Sequence, residues 1–257
     1  MNAFRSVIRK QAARLLNRLL ARAGLAKVRR DNRPAVRPRH PEVWERVAPF
    51  TMTDPPRVDA LYDCTRQIAS NDVPGDFVEC GVFRGGSSMT IALALLNAKD
   101  ERAIWLYDTF EGMTVPTDFD TKLEDGSPAA EKFQQLRTGA NSADWCAAPL
   151  EDVMRNMLST DYPPDRLRFI KGPVEETLLA ELPDEIALLR LDTDWYASTR
   201  VEMEVLFPRL SSGGVLIVDD YNSWAGARRA VDEYLAARQI RLMFFPIGGG
   251  SVMTVVP

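Results

Sequence analysis

Histidine is almost absent from this 257-residue chain: His40 is the only one. Cysteine is scarce too, and Cys64, Cys80 and Cys146 lie far apart with no Cys-x-x-Cys pair. These shortages argue against a cysteine–histidine zinc site, a Ser-His-Asp triad and a Cys-His pair. An odd cysteine count also argues against a disulfide framework and fits reduced thiols in a cytosolic setting. Any acid–base chemistry then falls to carboxylates, lysines or tyrosines. No stretch approaches the roughly 18–20 uninterrupted apolar residues that cross a bilayer, and no secretory h-region is present. Neither a GxGxxG fingerprint nor a phosphate loop ending in Gly-Lys-Ser/Thr occurs.

What is there reads as a globular protein, 46% apolar and 26% charged, with enough length for one large domain or two small ones. The net charge of −4 hides an asymmetry. Residues 1–39 hold twelve Lys/Arg against the single acid Asp31, leaving twenty basic against thirty-five acidic residues in the remainder. Within that segment Val7, Ile8, Leu15, Leu16, Leu19, Leu20 and Leu25 alternate with basic residues at helical spacing. Residues 1–40 therefore read as a basic amphipathic extension. It could anchor on anionic lipid, contact a partner or a second copy, or dock loosely on its own domain. Its composition is also that of an Arg-rich organelle presequence. Nucleic acid is not the expected partner, because the segment has one aromatic and no reader motif. The expected location is cytoplasmic, with the extension allowing peripheral contact at the inner membrane surface. Residues 31–56 carry six prolines, and 41–56 read as a linker with short turns.

From residue 57 to 257, strands and helices alternate, as in a Rossmann-like α/β domain with a mostly parallel, doubly wound sheet. Strands are expected at 77–82, 103–107, 167–170, 186–191 and 214–218. Helices are expected at 58–70, 89–98, 129–136, 150–158, 196–210 and 224–238. Residues 112–150 are otherwise irregular. Residues 241–247, the turn Gly248-Gly249-Gly250 and residues 251–256 read as a terminal hairpin that adds an antiparallel strand.

In such sheets ligands sit beyond the carboxyl ends of the strands. Those ends are acidic here: Glu79 in the first strand, Asp108 after the second, Asp192 and Asp194 after the fourth, Asp219 and Asp220 after the fifth. Six acids on one rim repel one another unless cations or hydroxyls share the site. The glycines of Glu79-Cys80-Gly81-Val82-Phe83-Arg84-Gly85-Gly86-Ser87 let backbone pass close to a ligand, although a tight turn needs them equally. Asp108 stands where this fold class binds ribose hydroxyls, which serves NAD and adenosylmethionine alike. Asp192, Asp194, Asp219 and Asp220 suit a hard divalent cation, Mg²⁺ above all. The competing reading makes them helix caps and partners of Arg190 or Arg200. Met113, Phe119, Trp145 and Trp195 are candidate substrate-side residues, or packing.

Glu-Cys-Gly-Val-Phe-Arg-Gly-Gly at 79–86, Tyr-Asp-Thr-Phe-Glu-Gly at 107–112, Leu-Asp-Thr-Asp-Trp-Tyr-Ala-Ser-Thr at 191–199 and Gly-Gly-Val-Leu-Ile-Val-Asp-Asp-Tyr at 213–221 together resemble the macrocin O-methyltransferase family. The match runs in order over about residues 57–257. The resemblance implies a class I methyltransferase fold, S-adenosylmethionine and Mg²⁺ as cofactors, and a sugar hydroxyl on a natural product or glycan as acceptor. It implies that Asp192, Asp219 and Asp220 bind the metal and that Asp194 is the general base. Glu79, Gly81, Ser87 and Asp108 would line the cofactor pocket, with Asp108 on the ribose. Residues 171–178 resemble the family's segment after the third strand, with Pro173 and Val174 where a large aromatic is usual. A homodimer or higher homo-oligomer is expected from the same resemblance. Two other functions share the sheet: an NAD-dependent oxidoreductase, for which no Tyr-x-x-x-Lys or histidine acid is found, and a nucleoside-binding module without catalysis.

Overall fold

The strand Ile186–Leu191 is apolar at every position but one, and all six residues are buried. Such a run belongs in the middle of a parallel sheet covered on both faces. The computed structural model describes residues 36–257 and puts this strand there. The basic helix expected at 4–28 lies outside the described residues.

Seven strands form one sheet: β1 (Asp76–Cys80), β2 (Ile104–Asp108), β3 (Leu167–Lys171), β4 (Ile186–Leu191), β5 (Leu210–Val218), β6 (Phe245–Gly248) and β7 (Ser251–Val255). Their order is β3-β2-β1-β4-β5-β7-β6. The first five are parallel, and β7 enters antiparallel to β5 as the second arm of the expected hairpin. The order reverses between β1 and β4, so their carboxyl ends frame the crevice where this class of sheet takes ligands.

Eight helices accompany the strands among the described residues: α1 (Pro41–Val47), α2 (Pro55–Ser70), α3 (Gly86–Ala98), α4 (Ala129–Leu136), α5 (Leu150–Leu158), α6 (Val174–Thr177), α7 (Tyr196–Val205) and α8 (Ala225–Ala237). Strand side chains alternate between two cores. Phe77, Leu106, Leu188 and Ile217 pack with α1, α2, α3 and α5. Val78, Leu189, Leu216 and Val218 pack with α6, α7 and α8. The sheet is thus doubly wound, as expected. A third cluster joins Phe133 of α4 and Trp145, from residues 112–150, to Trp195 and Trp224.

Three expectations change. Residues 41–56 are not a linker. Pro41 opens α1, and Pro55 and Pro56 open α2 behind the cap Asp54, whose side chain accepts the Arg57 N–H. Val43 and Val47 are buried in the first core. Asp59 of α2 accepts backbone N–H bonds from Arg39 and His40 at 2.9 and 3.2 Å, which ties the chain entry to the domain. Proline marks a helix start as readily as a loop, and only packing tells the two apart. The short α6 was not anticipated. The helix expected to run to 210 stops at Val205, because Pro208 forces a 3₁₀ turn over Phe207–Arg209.

Candidate active site

Alternation along the strands puts Glu79, Arg190 and Asp219 on one face at the carboxyl end of the sheet. Glu79 pairs laterally with Arg190 across the β1–β4 ladder. Arg190 sits in a central strand with its side chain 3% exposed, so its charge must be matched. It is matched three times. Nη1 donates to Glu79 Oε1 at 2.7 Å and to Asp192 Oδ2 at 2.6 Å, and Nη2 donates to Asp219 Oδ1 at 2.6 Å. The other oxygen of Asp219 takes the Arg57 Nη1 bond at 2.6 Å, while Arg57 Nε reaches Asp54 at 3.1 Å. Burial pushes the Asp219 carboxyl up, but the guanidiniums of Arg190 and Arg57 outweigh it and hold the group below its ordinary value. Arg200, the other expected partner, pairs instead with Glu204 one helical turn on.

Asp192, Asp194 and Asp220 each offer a carboxylate oxygen within 4.8 Å of the others. Asp219 is not in that trio, because both its oxygens face arginines. The four acids expected to act together are therefore split into a converging three and a paired one. Burial, opposed by a hydrogen bond with Asp220 and reinforced by repulsion from Asp192 and Asp219, raises Asp194 to about 7. Burial and the Asp194 charge likewise raise Asp220.

Two open clefts meet at this trio. The first spans about 660 Å³, open solvent included, and is lined by Gly81, Asp108, Met113, Gly172, Pro173 and Ser198, among others. The second spans about 870 Å³, open solvent included, and is lined by Glu79, Ser87, Asp219, Asp220, Trp145 and Trp224, among others. Asp192 and Asp194 line both. So do Phe83 and Cys146, and Phe83, Cys146 and Asp194 all have left-handed backbone, with φ of 50°, 58° and 67°. Non-glycine residues held there collect at functional sites. Cys146 is no nucleophile: burial and the nearby Asp194 and Asp192 push its thiol up to about 12.

The four residues expected to line a cofactor pocket all reach a cleft. Gly81 has φ +82°, and a Cβ there would lie 2.0 Å from the Asp192 carbonyl oxygen, so only glycine lets β1 and β4 close at this point. Asp108 Oδ2 accepts the N–H groups of Val82 and Phe83 at 2.6 and 3.0 Å, and Oδ1 accepts that of Phe110 at 2.8 Å. It thus fixes the glycine turn while facing the first cleft. Glu79 is held by Arg190 and by the Ser88 hydroxyl. Of the aromatic and methionine candidates, Met113 lines the first cleft and Trp145 the second. Trp195 is buried in the tryptophan cluster with Nε1 on the Thr114 carbonyl at 3.0 Å. Phe119 packs on Tyr196 outside both clefts. Sequence reasoning missed Arg57 altogether, since it follows two prolines in a segment read as linker. It weighed Arg190 only as a competing partner, although a lone arginine in an apolar strand is a readable signal of a buried charge network.

The chain matches the Macrocin-O-methyltransferase (TylF) family over residues 3–253, which takes in the basic segment outside the four motifs. It is 37% identical over 192 residues to 8-demethyl-8-(2,3-dimethoxy-alpha-L-rhamnosyl)-tetracenomycin-C 4'-O-methyltransferase of Streptomyces olivaceus, covering 74% of this chain and 69% of that protein. It is 36% identical over 188 residues to demethyldecarbamoylnovobiocin O-methyltransferase of Streptomyces niveus, covering 72% of this chain and 68% of the relative. Its fold superposes on the structure of the O-methyltransferase NovP with a TM-score of 0.68 at 31% identity, covering 80% of this chain and 82% of NovP. Those matches select methyl transfer over the oxidoreductase and non-catalytic readings, and the chain is an O-methyltransferase belonging to the macrocin O-methyltransferase family.

Proposed function

We propose that this enzyme moves the methyl group of S-adenosylmethionine to a sugar hydroxyl of a natural product or glycan, with Mg²⁺ held by Asp192 and Asp220 of the acidic trio. The observation that carries the reading is the meeting of two clefts at Asp194, a left-handed residue whose carboxyl is raised to about 7.

The first cleft takes the nucleoside of the donor. Asp108, oriented by three backbone N–H groups, presents its remaining lone pairs to the ribose hydroxyls. Gly172, Pro173 and Val174 wall the base, and Glu79 and Ser87 face the amino-acid end from the second cleft. The acceptor enters the second cleft with its hydroxyl toward Asp194. A carboxylate with its pKa near 7 is matched to taking a proton at neutral pH, and Asp194 accepts the hydroxyl proton as the oxygen attacks the methyl carbon in line with the departing sulfur.

The donor set fits a hard cation: carboxylate oxygens only, half-buried and mutually repelling. Asp192 and Asp220 would hold Mg²⁺, which when bound lowers the pKa of the acceptor hydroxyl. Asp219 serves this set from behind, its charge balanced by Arg57 and Arg190. No described helix is long and apolar enough to cross a membrane.

Labelled S-adenosylmethionine, Mg²⁺ and a panel of rhamnosyl acceptors test the reading. Label should pass to an acceptor, stop with EDTA, and slow about 10²–10⁴-fold in Asp194→Asn while S-adenosylhomocysteine still binds by calorimetry. Full turnover in Asp194→Asn would remove the base, transfer unaffected by EDTA would remove the metal, and absent nucleoside binding would remove the donor.

A further inference from the structure

The second cleft is lined by groups of both charge signs. Besides the acidic floor just described, it carries Lys122 and Lys132. The Lys122 backbone pairs with Trp224 in an antiparallel bridge, and its Nζ lies 5.9 Å from the centre of the Trp224 ring. Lys132 is on α4, and its Nζ lies 3.9 Å from the centre of the Trp145 ring. The Trp145 and Trp224 ring centres are 6.1 Å apart. Two ammonium groups are thus carried by neighbouring indoles that are held in place, since Trp145 and Trp224 are themselves packed in the third core cluster.

Neither ammonium makes an ion pair among the described residues. Among the described residues the only lysine ion pair is that of Lys171 with Glu111. Three acids of the floor take their positive charge from elsewhere: Arg190 holds Glu79, Asp192 and Asp219, and Arg57 also holds Asp219. A cleft whose strand-end residues are acidic while Lys122 and Lys132 are cationic has an electrical direction, and a ligand with one anionic end is oriented by it. The same groups that attract the anion to the lysines repel it from the carboxylates, so the polarity also fixes which end of the acceptor faces Asp194.

We propose that the acceptor is an anionic glycoside whose phosphate or carboxylate group binds between Lys122 and Lys132 while the hydroxyl to be methylated points at Asp194. This rests on the methyl-transfer reading for the hydroxyl end, but the anion site stands on its own geometry. It makes the lysine pair a specificity element: the anion anchors the sugar, and the distance from anion to hydroxyl selects the position methylated.

Tryptophan fluorescence provides the assay, because Trp145 and Trp224 lie under the two ammonium groups. The full chain is titrated with rhamnose 1-phosphate and with methyl glucuronoside, each against its neutral methyl glycoside, with and without S-adenosylhomocysteine. At least one charged probe should bind 10-fold or more tightly than its neutral twin, and which one does so separates a phosphate-bearing from a carboxylate-bearing acceptor. Added salt should weaken that preference. It should fall to about onefold in Lys122→Gln/Lys132→Gln and survive in Lys122→Arg/Lys132→Arg. Equal binding of charged and neutral probes, no saturable response to either charged probe, or a preference that persists in the double glutamine variant would each overturn the proposal. A lysine-dependent preference in a protein that does not bind S-adenosylhomocysteine would retain the anion site and discard the methyl-transfer reading instead.

Discussion

Replacing Arg190 by methionine tests the charge network under the site. The methionine keeps most of the aliphatic volume of the side chain but deletes the guanidinium. Three carboxylates lose contacts of 2.6–2.7 Å: Glu79, Asp192 and Asp219. Glu79 is 1% and Asp219 5% exposed, so water cannot replace what is lost. Breaking a buried pair from one side costs about 3–5 kcal/mol, because the remaining charge is stranded. Arg57 still holds Asp219, which keeps the expected loss within that range rather than at a multiple of it. For a domain of this size the loss corresponds to a fall in Tm of roughly 6–20 °C. The pH dependence separates charge from packing. In the variant the stranded carboxyls have folded pKa values raised above their unfolded ones, so they regain stability as pH falls and they protonate. The deficit against the parent protein, read from urea unfolding by circular dichroism, should be larger at pH 7.5 than at pH 5. A loss below about 1 kcal/mol, or a deficit that does not change between the two pH values, would refute the reasoning.

Glu202 on α7 offers a second test away from the clefts. It is fully buried, its Oε1 accepts the Thr193 hydroxyl at 2.9 Å, and its Oε2 has no partner among the described residues. Burial raises its carboxyl to about 8, so the stability it contributes is present below the unfolded glutamic acid pKa and is lost as pH rises toward 8. Glu202→Gln should flatten that slope and leave the protein more stable at pH 8.5 by a few kcal/mol. Equal pH slopes in parent and variant would show that Glu202 is charged in the folded state. Gly226 opens the third test: a Cβ there would lie 1.8 Å from Asp120 Oδ1, the oxygen that takes the Tyr196 N–H at the start of α7. Gly226→Ala should therefore cost at least about 1–3 kcal/mol, as overpacking does. It should also loosen residues 112–150, seen as faster amide exchange; unchanged stability and exchange would mean that Asp120 does not tie residues 112–150 to α7.

The amino-acid sequence by itself determined the architecture and the rim. Buried strands announce themselves as short apolar runs, their helices by spacing, and the glycines after β1 by the turn they permit, all of which are local. The same runs placed Asp108, Asp192, Asp194, Asp219 and Asp220 at strand ends, because a strand's length fixes where its end falls. Only the tertiary structure decided how those acids divide. Glu79 meets Arg190 across 111 residues and Asp219 meets Arg57 across 162, and no local pattern encodes such partners. That pairing takes Asp219 out of the converging set, while the left-handed backbone at Asp194 turns its side chain into it. Residues 41–56 show the same limit from the other side. Their prolines signal a break in structure at either a linker or a helix start, and burial of Val43 and Val47 against α2 and α3 settles which it is. The meeting of the two lysines and the acids in one cleft likewise exists only after folding, since Lys122 and Lys132 come from residues 112–150 and Asp194 from the end of β4.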